Sequence, residues 1–281
     1  MKTKVIYIAG DAHSGSTVLD LILGSHTRIE SVGEITMRVS QILSGQIQRR
    51  GLYGGLCTCG NAFLECPYWM PIFDRIHSQG VNEQRFMLDA SSAQKDNEIF
   101  IAEVLRQSGK QVYAESTKSI RRLKLLKQTD SVDLYVLHVV RDGRAVAYSN
   151  AQKGRDLYAY ASRWVTLNFE LLKHRDAAPG RWMIVNYERF VTRPAEELKR
   201  IMNFVGEEFE EEQLNFAKPT HHNLAGNRMR HSATSEITAD TKYLTSIGPL
   251  QWGIATAYAY RALTEFGYPL SKRRTRSLIY S

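Results

Sequence analysis

The segment Val5-Ile-Tyr-Ile-Ala-Gly-Asp-Ala-His-Ser-Gly-Ser-Thr17 constrains the fold of this chain more than any other. Its first five residues are apolar and end at Gly10, and a helical apolar pattern opens near Ser16. So short a continuous run, bounded by polar residues, fits a strand covered on both faces and therefore a parallel sheet. A strand, a glycine-bearing loop and a helix start together make an anion cradle, because backbone N–H groups and the helix dipole converge there.

The spacing Gly10-x4-Gly15-Ser16-Thr17 resembles a Walker A loop with one departure: Ser16 stands at the lysine position. That lysine reaches the β- and γ-phosphates of a nucleoside triphosphate. The loop therefore suits an anion but poorly suits Mg-nucleotide chemistry; taken alone, it also suits a Ser/Thr cap after a tight turn. A second strand-to-helix junction is Leu137-His-Val-Val-Arg-Asp-Gly-Arg-Ala-Val-Ala-Tyr-Ser149. It places Arg141 at the carboxyl edge of a strand, where open α/β sheets bind ligands. Asp142 is its natural N-cap, and a surface Arg–Asp pair is the plainer alternative.

Strands are expected at 5–9, 111–114, 134–140 and 182–185, separated by helices at 17–23, 94–107, 120–127, 144–150, 157–172, 194–205 and 252–266. This alternation predicts an α/β protein with a doubly wound, P-loop-like parallel sheet flanked by helices. We expect one domain over residues 1–270. A Gly-, Pro- and Cys-bearing insertion occupies about 44–93, a late irregular loop 218–246, and a basic, solvated tail 271–281. Lys and Arg number 37 against 29 Asp and Glu, but four of the eight excess charges are Lys272, Arg273, Arg274 and Arg276. The body is thus only mildly basic, which argues against a nucleic-acid partner. No stretch is apolar for the ~18 to 20 residues of a transmembrane helix. The short apolar run behind Met1 reads as a strand rather than a leader, and the expected location is cytoplasmic.

Together the two junctions resemble the sulfotransferase family that uses 3′-phosphoadenosine 5′-phosphosulfate (PAPS), in its bacterial, carbohydrate- and tyrosylprotein-type branch. His13-Ser-Gly-Ser-Thr17 resembles the family's 5′-phosphosulfate loop, and Arg141 to Ser149 its 3′-phosphate motif. Further echoes, in family order, are Gly33-Glu34, Glu115-Ser-Thr-Lys118, Asn186-Tyr-Glu-Arg-Phe190 and Gly226-Asn-Arg-Met-Arg230. The resemblance implies a sulfotransferase fold and transfer of a sulfuryl group from PAPS to an acceptor hydroxyl by in-line attack, releasing adenosine 3′,5′-bisphosphate. It implies no catalytic metal.

By the same resemblance, His13, Ser14, Gly15, Ser16 and Thr17 hold the 5′-phosphosulfate, Arg141 and Ser149 the 3′-phosphate, and Tyr187 packs by the adenine. Arg228 or Arg230 closes on the 3′-phosphate; a solvated basic loop is the alternative. Lys118 neutralises charge on the bridging oxygen, and Glu34 is the candidate general base. His13 stands where relatives carry Lys or Arg, so it is either the loop's cation or the base itself. Carbohydrate, tyrosine, lipid headgroup and small natural product are all open as acceptors. The competing readings are a P-loop-like nucleotide kinase and a non-catalytic binder of anionic nucleotides.

Cys57, Cys59 and Cys66 form a tight cluster. They could pair, stay as buried thiols, or hold zinc with a histidine such as His77. Their spacing is not that of two CxxC knuckles, so no metal ligand is assigned.

Overall fold

The computed structural model describes residues 2–35, 56–81, 91–176, 181–224, 227–231 and 234–280. Five strands are β1 (Thr3–Gly10), β2 (Ile29–Ser31), β3 (Val112–Glu115), β4 (Val132–Val140) and β5 (Trp182–Asn186), in a parallel sheet of order β2-β3-β1-β4-β5. The register pairs Val5 with Tyr113, Ile6 with Ala114 and Tyr7 with Glu115, and pairs Ile29 with Val112. Four of the strands are those expected, with ends that differ by no more than two residues. β2 was not foreseen, because three residues with a central Glu30 carry no apolar period.

The chain divides into two compact units. The first comprises Met1–Ala9, Thr17–Val136 and Phe209–Ser235. It contains α1 (Ser16–Gly24, all but its first residue), α2 (Trp69–Ser78), α3 (Ser91–Ser108) and α4 (Ile120–Gln128). Its interior sets Arg122, wholly buried, against Glu115 with Nη2–Oε2 at 2.7 Å. Tyr113 donates to the same carboxylate at 3.0 Å. A buried charge pair tolerates burial only when so fully bonded. Of the expected insertion, residues 44–55 and 82–90 lie outside the described residues; the remainder holds α2, whose Trp69, Ile72, Phe73 and Ile76 form its buried face.

The second unit comprises Gly10–Ser16, Leu137–Glu208 and Glu236–Ser281. It contains α5 (Gly143–Ala151), α6 (Leu157–Asp176), α7 (Tyr187–Thr192), α8 (Pro194–Val205), α9 (Tyr243–Ser246), α10 (Pro249–Glu265) and α11 (Lys272–Tyr280). Trp164, Ala161, Val146, Ala259, Leu263 and Tyr268 pack its core. Asp142 caps α5 as expected, its Oδ1 accepting from the Arg144 amide at 2.9 Å. The tail is helical, with Arg273, Arg274 and Arg276 exposed along it. Thr275 and Ile279 are buried, and Arg144 donates to Pro269 O at 2.8 Å and Leu270 O at 3.0 Å. The apolar positions that do this are too few for the tail's charge to let them show in sequence.

Beneath α5, Glu188 accepts from the Asp142 amide at 3.0 Å and the Tyr268 hydroxyl at 2.7 Å. Burial, then repulsion from Asp142, pushes its carboxyl up to about 7. The folded chain thus holds this proton where the unfolded chain has lost it. Stability from this group is full below the ordinary carboxylate range, about pH 4, and is lost as pH rises through about 7. Buried His138 is pushed down to about 4 and acts with the opposite sign, so a difference measurement isolates Glu188. The melting temperature of Glu188→Gln relative to the parent is expected to rise between pH 5 and pH 8, on the order of 5 °C. A flat difference would refute it.

Candidate functional site

In the second unit the loop after β1 and the junction after β4 build one cradle. Arg141 lies almost wholly buried, with Nη1 donating to His13 O at 3.0 Å and Nη2 to Asp240 O at 2.8 Å. It also pairs with the half-exposed Asp240 carboxylate at 3.1 Å. Its guanidinium stacks over the Tyr187 ring at 4.6 Å. Tyr187 thus sits under both motifs, and burial pushes its hydroxyl pKa up, so the ring stays neutral at ordinary pH. Ser149 faces back along α5, donating to Ala145 O at 3.0 Å. Asp11, buried below the loop, is offset by Arg163 at 2.8 Å.

Gly15 is the tightest point of the cradle. Its φ is +90°, and a Cβ there would lie 2.4 Å from Tyr187 Cδ2. Gly15→Ala is expected to destabilise the fold by about 1 to 3 kcal/mol through backbone strain and to loosen anion binding at the loop. Unfolding and sulfate-binding titrations of that variant read both effects; parental values in both would remove Gly15 from the cradle.

Three buried polar atoms of this loop and junction have no hydrogen-bond partner among the described residues: the acceptor Asp11 Oδ2, whose carboxylate is paired with Arg163, and Ser14 Oγ and Arg141 Nε. The last two can donate, so a bound anion is the partner that would satisfy them. Lys153, at the end of α5, is a cation the sequence reading missed. Its Nζ lies 3.0 Å from His13 Nε2. Asp240, reached only through the fold, was missed as well.

The first unit brings together the two other expected catalytic groups. Lys118 Nζ donates to Glu34 Oε1 across 84 positions of sequence, both side chains being mostly buried. The Glu34 amide donates to Leu224 O at 3.2 Å. Nearby, Asp20 of α1 accepts from Ser31 Oγ at 2.7 Å and from Asn223 Nδ2. Burial lifts Asp20 to about 7, with Glu34 adding to the rise and Lys118 opposing it. No spacing pattern marked Asp20 or Asn223. Thr17 Oγ1 accepts from the Asn227 amide at 3.3 Å. Arg230 is buried and donates to Asn223 O at 3.1 Å, which makes it a brace of that segment. The Arg228 side chain lies outside the described residues.

Among the described residues, the only non-glycine positions with positive φ are His13 (+67°) and Lys118 (+57°). Backbone held in this region costs free energy and collects at functional sites. Both are residues to which the family resemblance gives a chemical role.

Comparison with known proteins identifies the family and the fold. The family model described as "Sulfotransferase family" matches residues 6–211. A putative protein-tyrosine sulfotransferase of Caenorhabditis briggsae is 26% identical over 260 residues, spanning 86% of this chain and 80% of that protein. The sulfotransferase domain of the Synechococcus PCC 7002 olefin synthase superposes with a TM-score of 0.64 at 20% identity, over 96% of each chain. That of the curacin biosynthetic pathway gives 0.62 at 17% identity, over 96% of this chain and 99% of the other. At such identities the two structures speak to the fold alone. No helix among the described residues is long and apolar enough to cross a membrane. Neither the kinase nor the non-catalytic reading is favoured: the chain belongs to the sulfotransferase family, enzymes that transfer a sulfuryl group to an acceptor hydroxyl.

Proposed function

We propose that the sulfuryl donor is PAPS and that the cradle of the second unit holds it. The observation that carries this reading is the pair of orphaned buried donors, Ser14 Oγ and Arg141 Nε, in one motif each. The amides of Gly15, Ser16 and Thr17, with the hydroxyls of Ser14, Ser16 and Thr17, would hold the 5′-phosphosulfate at the start of α1. Arg141 and Ser149 would hold the 3′-phosphate; Asp240, paired with Arg141, has to yield to it. Arg228 is kept as a closing cation, whereas Arg230 is better read as a brace. Tyr187 supports the loop from below and lines the nucleotide's place.

When bound, PAPS supplies the sulfuryl group and departs as adenosine 3′,5′-bisphosphate. The chain's own residues do the rest. Lys153 places positive charge at the loop, and His13 holds it there through Nε2. Glu34 takes the acceptor's proton on its carboxylate, and Lys118 steadies negative charge on the bridging oxygen. A tyrosyl hydroxyl is the first acceptor to test, because a relative's name specifies it. The cytosol is the compartment proposed, in keeping with Cys57, Cys59 and Cys66 forming no disulfide.

Isothermal titration with adenosine 3′,5′-bisphosphate, without magnesium, tests the donor site. Binding well above that of 5′-AMP is expected. Arg141→Ala should weaken it about 10- to 100-fold, the scale of a charge-assisted hydrogen bond. Equal affinity for the two nucleotides, or an unchanged Arg141→Ala, would overturn the assignment.

A further inference from the structure

We infer that Cys57, Cys59, Cys66 and His222 form a structural zinc site. Their ligand atoms all lie within 4.8 Å of one another. Cys59 Sγ and Cys66 Sγ are 3.5 Å apart, and His222 Nδ1 lies 3.7 Å from Cys57 Sγ and 3.5 Å from Cys66 Sγ. A tetrahedral zinc with bonds of about 2.3 Å to sulfur and 2.0 Å to nitrogen sets edges of about 3.8 Å and 3.5 Å. The four atoms already stand near those vertices. With four protein ligands no position is open to substrate, so the site is structural.

The surroundings are built for this. Cys57-Thr-Cys59 turns at Gly60, whose φ is +90° and whose amide donates to Cys57 O at 2.9 Å. Asn61 Nδ2 lies 3.4 Å from Cys59 Sγ, a donor for a thiolate of the kind that tunes metal ligands. Cys66 O accepts from the amides of Trp69 and Met70, both at 3.0 Å. His222 is held by a stacked Tyr68 ring at 4.2 Å, and its carbonyl accepts from Trp69 Nε1 at 2.8 Å. His77, the histidine the sequence pointed to, instead packs on Phe73 at 6.1 Å. A disulfide would use two sulfurs and leave unexplained a histidine 156 residues away aimed at two of the three.

The site has a mechanical consequence. Thr58 bonds Asn223 O through both its amide (3.1 Å) and its hydroxyl (2.9 Å), Leu224 bridges to Cys57 and to Gly33, and Glu34 N bonds Leu224 O. Zinc would pin the strip 222–224 to the cysteine knuckle and thereby fix the backbone of Glu34; only this last step rests on the catalytic reading of Glu34.

The test needs no activity. Full-length protein grown with added zinc and purified under reducing conditions should carry about one zinc per chain by mass spectrometry, as a four-ligand structural site retains its metal. Metal-free protein titrated with Co²⁺ should develop the thiolate-to-cobalt band and the intense visible bands of a tetrahedral site. His222→Ala and Cys59→Ser should lose the zinc, His222→Cys should keep it, and His77→Ala should not matter. Should His222→Ala not fold, the Co²⁺ titration of the parent chain and the zinc content of Cys59→Ser still decide. A reduced parent without zinc or a cobalt spectrum overturns the proposal. So does zinc that survives both Cys59→Ser and His222→Ala.

Discussion

Glu34→Gln is expected to lower turnover by about 10² to 10⁴, the range for loss of a general base, with affinity for adenosine 3′,5′-bisphosphate unchanged. The split follows from geometry. Glu34 Oε1 meets Lys118, whereas the loop arginine is held by His13 O and Asp240 O. Glutamine keeps an oxygen for the Lys118 ammonium, and the backbone amide of residue 34 still donates to Leu224 O, so the local fold should hold, and only the capacity to take a proton is lost. Lys118→Met should also fall in turnover, by about 10² to 10³, because it removes a donor aimed at developing charge. Steady-state rates with a tyrosyl peptide, alongside titration of the nucleotide, separate chemistry from binding. A Glu34→Gln enzyme with the parental rate would move the base elsewhere, first to His13.

The parts of this site legible in sequence are those in which one short stretch carries its whole meaning. Strand β1, Gly10, Gly15 and the start of α1 are contiguous, and so are β4, Arg141 and the Asp142 cap. Apolar runs and cap residues act over a few positions, and reading them locates both motifs at strand ends. Glu34 and Lys118 were named by resemblance, but that they touch could not be read from positions 84 apart. The unforeseen residues are all of this long-range kind. Asp240 reaches Arg141 from 99 positions away, Lys153 reaches His13 from 140, and His222 reaches Cys57 from 165. Each sits in or beside a loop without periodicity, where residue type alone is uninformative. His77 shows the same limit: it is the histidine close to the cysteines in sequence, whereas the bridges of Leu224 to Cys57 and Gly33 bring His222 to them from the far end.

Lys153→Met is expected to cost about 10² to 10³ in turnover, because it removes a cation placed where charge develops. The resemblance to the family calls for a cation before Ser-Gly, and this chain has His13 there. Lys153 Nζ lies 3.0 Å from His13 Nε2. An ammonium has only hydrogens to offer, so Nε2 must be the bare nitrogen and the ring proton sits on Nδ1. In this contact His13 is neutral and the positive charge belongs to Lys153. The fold thus supplies from α5 the charge that the loop's own sequence lacks, and His13 holds it in place with its backbone bent to a φ of +67°. His13→Arg alone would set two cations side by side and should reduce the rate modestly. The double variant His13→Arg, Lys153→Met restores one charge at the loop and should recover much of what Lys153→Met loses. That rescue is the discriminating readout, measured as turnover at saturating PAPS with nucleotide affinity followed in parallel. If His13 is instead the base, Lys153→Met frees its lone pair and leaves the rate near the parental value. His13→Arg would then be inactive while still binding nucleotide, and no second substitution at position 153 would revive it.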